Sequence, residues 1–170
     1  MNAFAGLLGV VIGFLLSQFG TSWREFLKGK EAKRLIADEL NANIGVIAQK
    51  RQIVNKIINS LDQKRILPGE SVSFMTKSYE FNVHAAYPYL SSLQRDSLHV
   101  IYERVNQADS FLSRFESEIL KHLDLKLVGD PYEMFSHRMN DILESMKVIE
   151  DLSKKYLSGN PVDVYYRFQK

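Results

Sequence analysis

The chain has 170 residues, of which 45% are hydrophobic and 25% are charged, and its formal net charge is +2. This length accommodates one domain and an appendage, and the composition is that of a protein with a buried core. The net charge is too small to indicate the dense basic face that nucleic acid requires, and we therefore expect no nucleic-acid partner. The absence of cysteine excludes disulfide frameworks, thiolate metal sites and thiol nucleophiles.

The first element, residues 1–23, is predicted to be a transmembrane anchor. No charged side chain precedes Arg24, and a helix needs about 20 predominantly apolar residues to cross the hydrocarbon core. The bulky residues between Ala3 and Phe19 favour insertion by about 3 to 6 kcal/mol in total. The alternatives are a cleaved signal peptide, which would need a basic region before the apolar run, and a buried soluble helix.

Small residues form a stripe on one face of this anchor. At 3.6 residues per turn they fall within a sector of about 80°, and the bulky apolar residues occupy the other side. Such a face lets two helix backbones approach closely, which drives association in lipid. We therefore predict a helix-packing face, used by a second copy or by another membrane subunit, that consists of Gly6, Gly9, Gly13, Ser17 and Gly20.

Basic residues follow the anchor directly. Basic residues next to a membrane helix remain in the cytoplasm, so the pattern predicts a single-pass protein of the cell membrane with its N-terminus outside. Each basic residue near the surface also attracts anionic headgroups, by about 1 kcal/mol. The predicted membrane-surface residues are Arg24, Lys28, Lys30, Lys33 and Arg34.

Residues 24–160 predict an all-α cytoplasmic domain, an antiparallel bundle of three long helices and one short helix. A capping-box pattern at Ser22–Glu25 predicts the start of the first long helix, which ends near Arg65, before Pro68-Gly69. Its apolar residues recur at steps of three and four; a coiled coil over residues 36–61 is the alternative to a bundle core. The expected core residues are Leu40, Ile44, Ile47, Val54, Ile58 and Leu61.

Turn and capping signals delimit the remaining helices. A short helix is predicted over residues 71–84, and the aromatic run from Phe74 to Tyr89 is interpreted as core. A second capping box at Ser91 opens a helix that ends near Leu123, and Gly129-Asp130-Pro131 marks the start of the last helix. The expected core of these two helices comprises Leu98, Ile101, Val105, Leu112, Phe115, Ile119, Phe135, Met139, Ile142, Met146, Ile149 and Tyr156.

The C-terminal segment, residues 161–170, has a different pattern. Its apolar residues alternate with polar residues, a period of two that is typical of an extended strand able to bind a partner. A tail that packs back on its own bundle would give the same pattern. The candidate partner-binding residues are Val162, Val164, Tyr166 and Phe168.

The sequence contains no motif for catalysis, a metal or a cofactor that rises above chance. Histidine and carboxylate stand one turn apart at His99–Glu103, Glu118–His122 and Glu133–His137, but such pairs also serve as ordinary helix stabilisation. We therefore predict a non-enzymatic scaffold, bound to the lipid bilayer, that presents its bundle to a cytoplasmic protein. The alternative is a small oligomeric channel or a membrane-disrupting effector.

Overall fold

The computed structural model describes residues 2–68, 72–125 and 129–161, with side chains from Ile12 onwards. Helices dominate this part of the chain, and no strand occurs in it, which confirms the predicted all-α class. The elements are α1 (Asn2–Asp62), α2 (Lys77–Ala86), a 3₁₀ turn (Tyr87–Tyr89), α3 (Ser92–Asp124) and α4 (Pro131–Leu157).

Helix α1 is continuous over 61 residues, a length of about 90 Å at 1.5 Å per residue. The predicted helix start at Ser22 is wrong, because a cap forms only where the preceding backbone leaves the helix. Here the preceding residues are already helical, as the hydrogen bond from Thr21 Oγ1 to the Ser17 carbonyl (3.0 Å) illustrates. The end of α1 lies close to its predicted position, at a turn in which Lys64 adopts a φ of 55°.

The chain forms two compact units. We call Met1–Ile36 with Lys77–Leu90 the α1–α2 unit, and Ala37–Thr76 with Ser91–Lys170 the bundle unit. Helix α1 contributes its first part to the former and its second part to the latter. The predicted boundary between residues 23 and 24 stays a prediction.

The core of the bundle unit follows the predicted stripes closely. All the predicted α3 core residues are buried, and in α4 only Ile142 is half-buried instead. In α1, Ile57 is buried in place of Ile58, and Ile44 is half-buried. Seven buried positions of α1 recur at alternating steps of three and four, the spacing of helices that cross at a small angle. They are Leu40, Asn43, Ile47, Lys50, Val54, Ile57 and Leu61.

Helices α3 and α4 run antiparallel, as predicted. The rings of Phe115 and Phe135 meet edge to face at 5.7 Å. Further along the pair, Arg104 Nη1 donates to Ser145 Oγ at 3.3 Å. The residue numbers therefore fall in α3 as they rise in α4, which is the arrangement that the short connection between these helices requires.

Helices α1 and α3 run parallel, so the predicted antiparallel arrangement is wrong for this pair. Tyr102 Oη donates to Glu39 Oε1 at 2.7 Å, and Lys50 Nζ lies 2.6 Å from Asp109 Oδ1, so residue numbers rise together in both helices. The physical reason is the connection over residues 63–91. It contains α2 and is therefore not the short link that makes neighbours antiparallel.

The predicted helix caps of α3 and α4 are confirmed. Ser91 Oγ accepts from the Gln94 N–H at 3.2 Å, and Gln94 Oε1 accepts from the Ser91 N–H at 2.9 Å, a complete capping box. At α4, Asp130 Oδ1 accepts from the Tyr132 N–H at 2.9 Å. Gly129, with a φ of 104°, supplies the left-handed turn before it, a conformation that glycine adopts without strain.

Candidate membrane-contacting site

The first described side chains of α1 are uncovered. Every residue from Ile12 to Lys28 is exposed, and most of the bulky ones are apolar. Phe19, for example, is 72% exposed. A contiguous apolar surface of this kind marks a site of contact with protein or membrane. The exposed apolar side chains are Ile12, Phe14, Leu15, Leu16, Phe19, Trp23, Phe26 and Leu27.

Among the helices whose side chains the structure describes, none is long and apolar enough to cross a membrane. The predicted anchor, residues 1–23, is only partly covered by this finding, because the structure does not describe the side chains of residues 1–11.

The predicted helix-packing face is open where it can be followed. A Cβ atom added at Gly13 or at Gly20 would meet no atom within 4 Å, and Ser17 is exposed between them. Gly6 and Gly9 lie among the residues whose side-chain surroundings are not described. The described part of this face therefore has room for a second helix.

Aromatic side chains gather just after the apolar segment, within the α1–α2 unit. The rings of Trp23 and Phe26 are 5.8 Å apart, and Phe26 meets Tyr89 edge to face at 5.8 Å. Trp and Tyr are enriched at membrane–water interfaces because their rings are amphipathic. The 3₁₀ turn thus places Tyr89 beside Phe26, three residues after the end of the predicted anchor. A membrane–water interface is expected at this position if the anchor spans the bilayer.

Gly29 and Lys33 hold this turn against α1. The Tyr89 ring lies where a Cβ of residue 29 would stand, and the Ala85 carbonyl oxygen is 3.1 Å from that position. Lys33 Nζ donates to the Tyr89 carbonyl at 2.9 Å. Only glycine permits so close an approach, so Gly29 is a packing residue that the sequence did not single out.

The predicted basic residues divide into two groups. Lys33 is engaged with Tyr89, and Arg34 forms a double hydrogen bond to the Glu31 carboxylate, at 2.6 and 3.1 Å. The hydrogen bond from Arg34 lowers the pKa of Glu31 below its usual value. The second group consists of Arg24, Lys28 and Lys30. These cations are exposed and form no hydrogen bond or ion pair with any described residue.

The aromatic run from Phe74 to Tyr89 does not behave as a unit. Phe74 is buried, as predicted, but Phe81 is 77% exposed and Tyr87 is 50% exposed. The core interpretation is therefore wrong for these two side chains. For Phe81 the reason is the helical wheel of α2, which places Ala86 inward and Phe81 outward, whereas Tyr87 lies beyond α2, in the 3₁₀ turn.

A second feature, in the bundle unit, explains why α2 begins at Lys77 and not at residue 71. The Asn43 side chain pairs with both polar groups of the Met75 backbone: its Nδ2 donates to the carbonyl at 2.7 Å, and its Oδ1 accepts from the N–H at 2.8 Å. The Phe74 N–H donates to Asp109 Oδ2 at 2.8 Å. These bonds compete with helical ones and hold residues 72–76 in a non-helical strap.

Lys50 is a buried charged residue next to Asp109 and Phe74. The Lys50 side chain is 1% exposed. Its ammonium lies 2.6 Å from Asp109 Oδ1 and 4.8 Å from the centre of the Phe74 ring. Burial of a charge is costly unless the charge is paired, and here the carboxylate and the ring face compensate it. Arg51, the next residue, pairs with Glu150 at 2.7 Å. The sequence contained one signal for the burial of Asn43 and Lys50, namely their spacing. Each lies three residues after a predicted core residue of α1.

The candidate binding tail Val162–Phe168 lies outside the described residues. Of the histidine–carboxylate pairs, His137 and Glu133 approach to 3.9 Å on an exposed surface. Within the described ranges, no group of three or more His, Asp or Glu side chains is arranged to hold a metal ion.

No protein-family model, curated protein or solved structure matches the chain.

Proposed function

We propose that the protein is a single-pass membrane scaffold: residues 1–23 anchor it, the small-residue stripe associates with another helix, and the bundle faces a cytoplasmic protein partner. The observation that carries the proposal is the uncovered apolar surface of α1 from Ile12 to Leu27. Apart from Phe14, these side chains fall within a sector of about 120° at 3.6 residues per turn. Lipid is the cover that we propose, because no charged side chain occurs on any side of the helix from Ile12 to Trp23.

The residues that follow the apolar surface support this environment. Trp23 stands at the end of the uncharged stretch, where an aromatic interface belt is expected. Arg24, Lys28 and Lys30, the exposed cations without a partner among the described residues, follow Trp23. This order, apolar then aromatic then basic, is that of a helix leaving a bilayer on its cytoplasmic side. The C-terminal part of the chain is therefore proposed to be cytoplasmic.

Self-association is proposed to use the open face at Gly13, Ser17 and Gly20, continued by Gly6 and Gly9. Arg24 falls on the same face, about 20° from Gly13 at 3.6 residues per turn. In a parallel pair the two Arg24 side chains would face each other, and like charges repel. We therefore expect close contact within the bilayer and divergence of the helices beyond Gly20.

The test uses the absence of cysteine. Single cysteines are introduced as Gly13→Cys and, as the matched control, Leu15→Cys, which lies about 200° around the helix. After oxidation of native membranes, we expect a disulfide-linked dimer from Gly13→Cys and none from Leu15→Cys. An equal yield from both positions, or none from Gly13→Cys, would overturn the self-association. A band of unexpected mass would identify a partner subunit on the same face.

The oligomeric channel or membrane-disrupting effector remains the alternative function. It would need a polar lining, and the described apolar segment offers only Ser17 and Gln18 before Gly20. Ion flux through reconstituted vesicles that Gly13→Leu abolishes would favour the channel over the scaffold.

A further inference from the structure

The bundle unit contains a groove beside the last turns of α1. Its volume is about 380 Å³, within the usual range of ligand sites. One wall is the face of α1 that carries Lys56, Asn59 and Ser60, and the other wall is the chain after the helix, residues 65–67. No Asp or Glu among the described residues lines this groove.

Ser60 holds the chain against the helix where it leaves α1. The Arg65 N–H donates to the Ser60 carbonyl at 2.9 Å, and Ser60 Oγ donates to the Arg65 carbonyl at 3.0 Å. Ser60 is 8% exposed and lies one helical turn after Lys56. The two bonds therefore fix the backbone of Arg65 beside the helix face that carries Lys56, and both cations line the groove.

Lys56 and Arg65 bring two positive charges to the groove without an opposite charge. Both side chains are exposed, and neither forms a hydrogen bond or ion pair with any described residue. No Asp or Glu lies one turn from Lys56, whereas Lys154 on α4 pairs with Glu150 one turn away at 2.5 Å. Asp62, the acidic residue nearest to Arg65 in the sequence, lines a different cavity. An anion in the groove would therefore be attracted by both cations.

The openness of the groove to solvent favours a peptide over a small molecule. A small-molecule site usually buries about 70 to 90% of its ligand, but here both cations are exposed and Leu67 is 41% exposed. A peptide can place one acidic side chain at Lys56 and Arg65 and continue along the surface. Ile66 and Leu67 offer an aliphatic contact beside the charges, and the Asn59 side chain can hydrogen-bond to a peptide backbone.

We propose that this groove binds an acidic segment of the cytoplasmic protein partner, in which an Asp or Glu is followed closely by an aliphatic residue. The carboxylate pairs with Lys56 and Arg65, since clusters of basic residues recognise acidic motifs, and the aliphatic side chain packs on Ile66 and Leu67. The proposal rests on the proposed function, in which the bundle unit faces a protein, and deepens it by naming the chemistry of that partner.

The test is a selection from octapeptides randomised at every position, applied to the full chain in phosphatidylcholine nanodiscs, with empty nanodiscs as background. We expect Asp and Glu to be enriched among the retained peptides, with an aliphatic residue within two positions. For a selected peptide, Lys56→Gln or Arg65→Gln should weaken binding about three- to fivefold, because the ion pair stays close to solvent. Lys121→Gln is the matched control, because it removes an exposed cation of α3 that lies outside the groove. It should leave binding unchanged.

Retained peptides without enrichment of Asp and Glu would overturn the proposal. Equal weakening by Lys56→Gln and Lys121→Gln would overturn it as well, since it would show attraction by net charge alone. Resistance to alkaline extraction is measured in parallel on the same variants. A chain that alkali releases from membranes would contradict the anchor of the proposed function, whereas an anchored chain without selectivity for acidic peptides would contradict only the groove.

Discussion

At the scale of single residues, Asn43 keeps the segment before α2, residues 72–76, out of a helix. Its amide makes both hydrogen bonds that a neighbouring strand would make to Met75, and Met75 remains outside any helix in consequence. Polar side chains in a bundle core are costly unless every group is satisfied. Asn43 meets this condition by pairing with backbone atoms, which a pattern of apolar residues cannot reveal.

Asn43→Ala should destabilise the bundle unit by about 1 to 3 kcal/mol, because the Met75 N–H and carbonyl lose their partners in a part-buried site. Denaturant unfolding of the purified chain measures the change, and hydrogen exchange at the Met75 amide should accelerate. Asn55→Ala, at an exposed position of the same helix, is the matched control and should change stability by less than about 0.5 kcal/mol. Equal effects from the two variants would refute the role given to Asn43.

Lys50 and Asp109 should behave as one unit. Lys50→Met leaves the Asp109 carboxylate, whose side chain is 24% exposed, without its ammonium and should destabilise the protein by about 1 to 3 kcal/mol. Asp109→Asn leaves the buried Lys50 ammonium without its carboxylate and should cost about 3 kcal/mol or more, although the side-chain oxygen can still accept from the Phe74 N–H. The double variant should be less destabilised than the sum of the two, because no buried charge remains. Strict additivity in a double-mutant cycle would show that the two charges do not interact.

At the scale of elements, the ends of α3 and α4 could be predicted because their signals are local. Ser91, Asp130 and Gly129 act on backbone groups within a few residues, and each does so as expected. Ser22 carries the same pattern and caps nothing, since the helix before it continues through. A capping box is therefore informative only where the preceding residues leave the helix. The late start of α2 was not predictable, since it depends on contacts with Asn43 and Asp109, which are distant in sequence.

Two glycines of α1 should respond to alanine in opposite directions. Gly29→Ala places a methyl group where the Tyr89 ring lies, and overpacking of this kind costs about 1 to 3 kcal/mol. Gly45→Ala meets open space and should stabilise the helix by about 0.5 to 1 kcal/mol. Thermal unfolding of the two variants, with near-ultraviolet circular dichroism to report Tyr89, measures both effects. Stabilisation by Gly29→Ala would contradict the packing of the 3₁₀ turn on α1.

The cap of α4 should make stability depend on pH. The hydrogen bond from the Tyr132 N–H, with a smaller contribution from Lys64, lowers the pKa of Asp130 below 3.8. A lowered pKa in the folded state stabilises the protein above the unfolded value, and this stabilisation is lost as the pH falls through the folded value. Asp130→Asn keeps the cap without the titration. The stability difference between the two proteins should therefore be constant near neutral pH and shrink below pH 3.8; a constant difference in acid would contradict the assignment.

At the scale of the whole molecule, the sequence predicted the helical class and most of the core, because both follow from periodicity. It did not predict the direction of α1 relative to α3. That direction depends on the connection over residues 63–91, in which α2 and the strap around Phe74 make the link long. Of the candidate site, the apolar segment and the basic residues were evident in the sequence. The engagement of Lys33 with Tyr89 was not, since it requires the position of the 3₁₀ turn.

The placement of the apolar part of α1 in a bilayer is the central claim, and cysteine labelling tests it most directly. Leu16→Cys lies in the middle of the exposed apolar segment, and Lys147→Cys lies on the exposed surface of α4. Intact cells are treated with a membrane-impermeant maleimide, and the treatment is repeated after permeabilisation. We predict that Lys147→Cys is labelled only after permeabilisation and that Leu16→Cys stays unlabelled until detergent dissolves the membrane. Labelling of Leu16→Cys as rapidly as Lys147→Cys would contradict the claim.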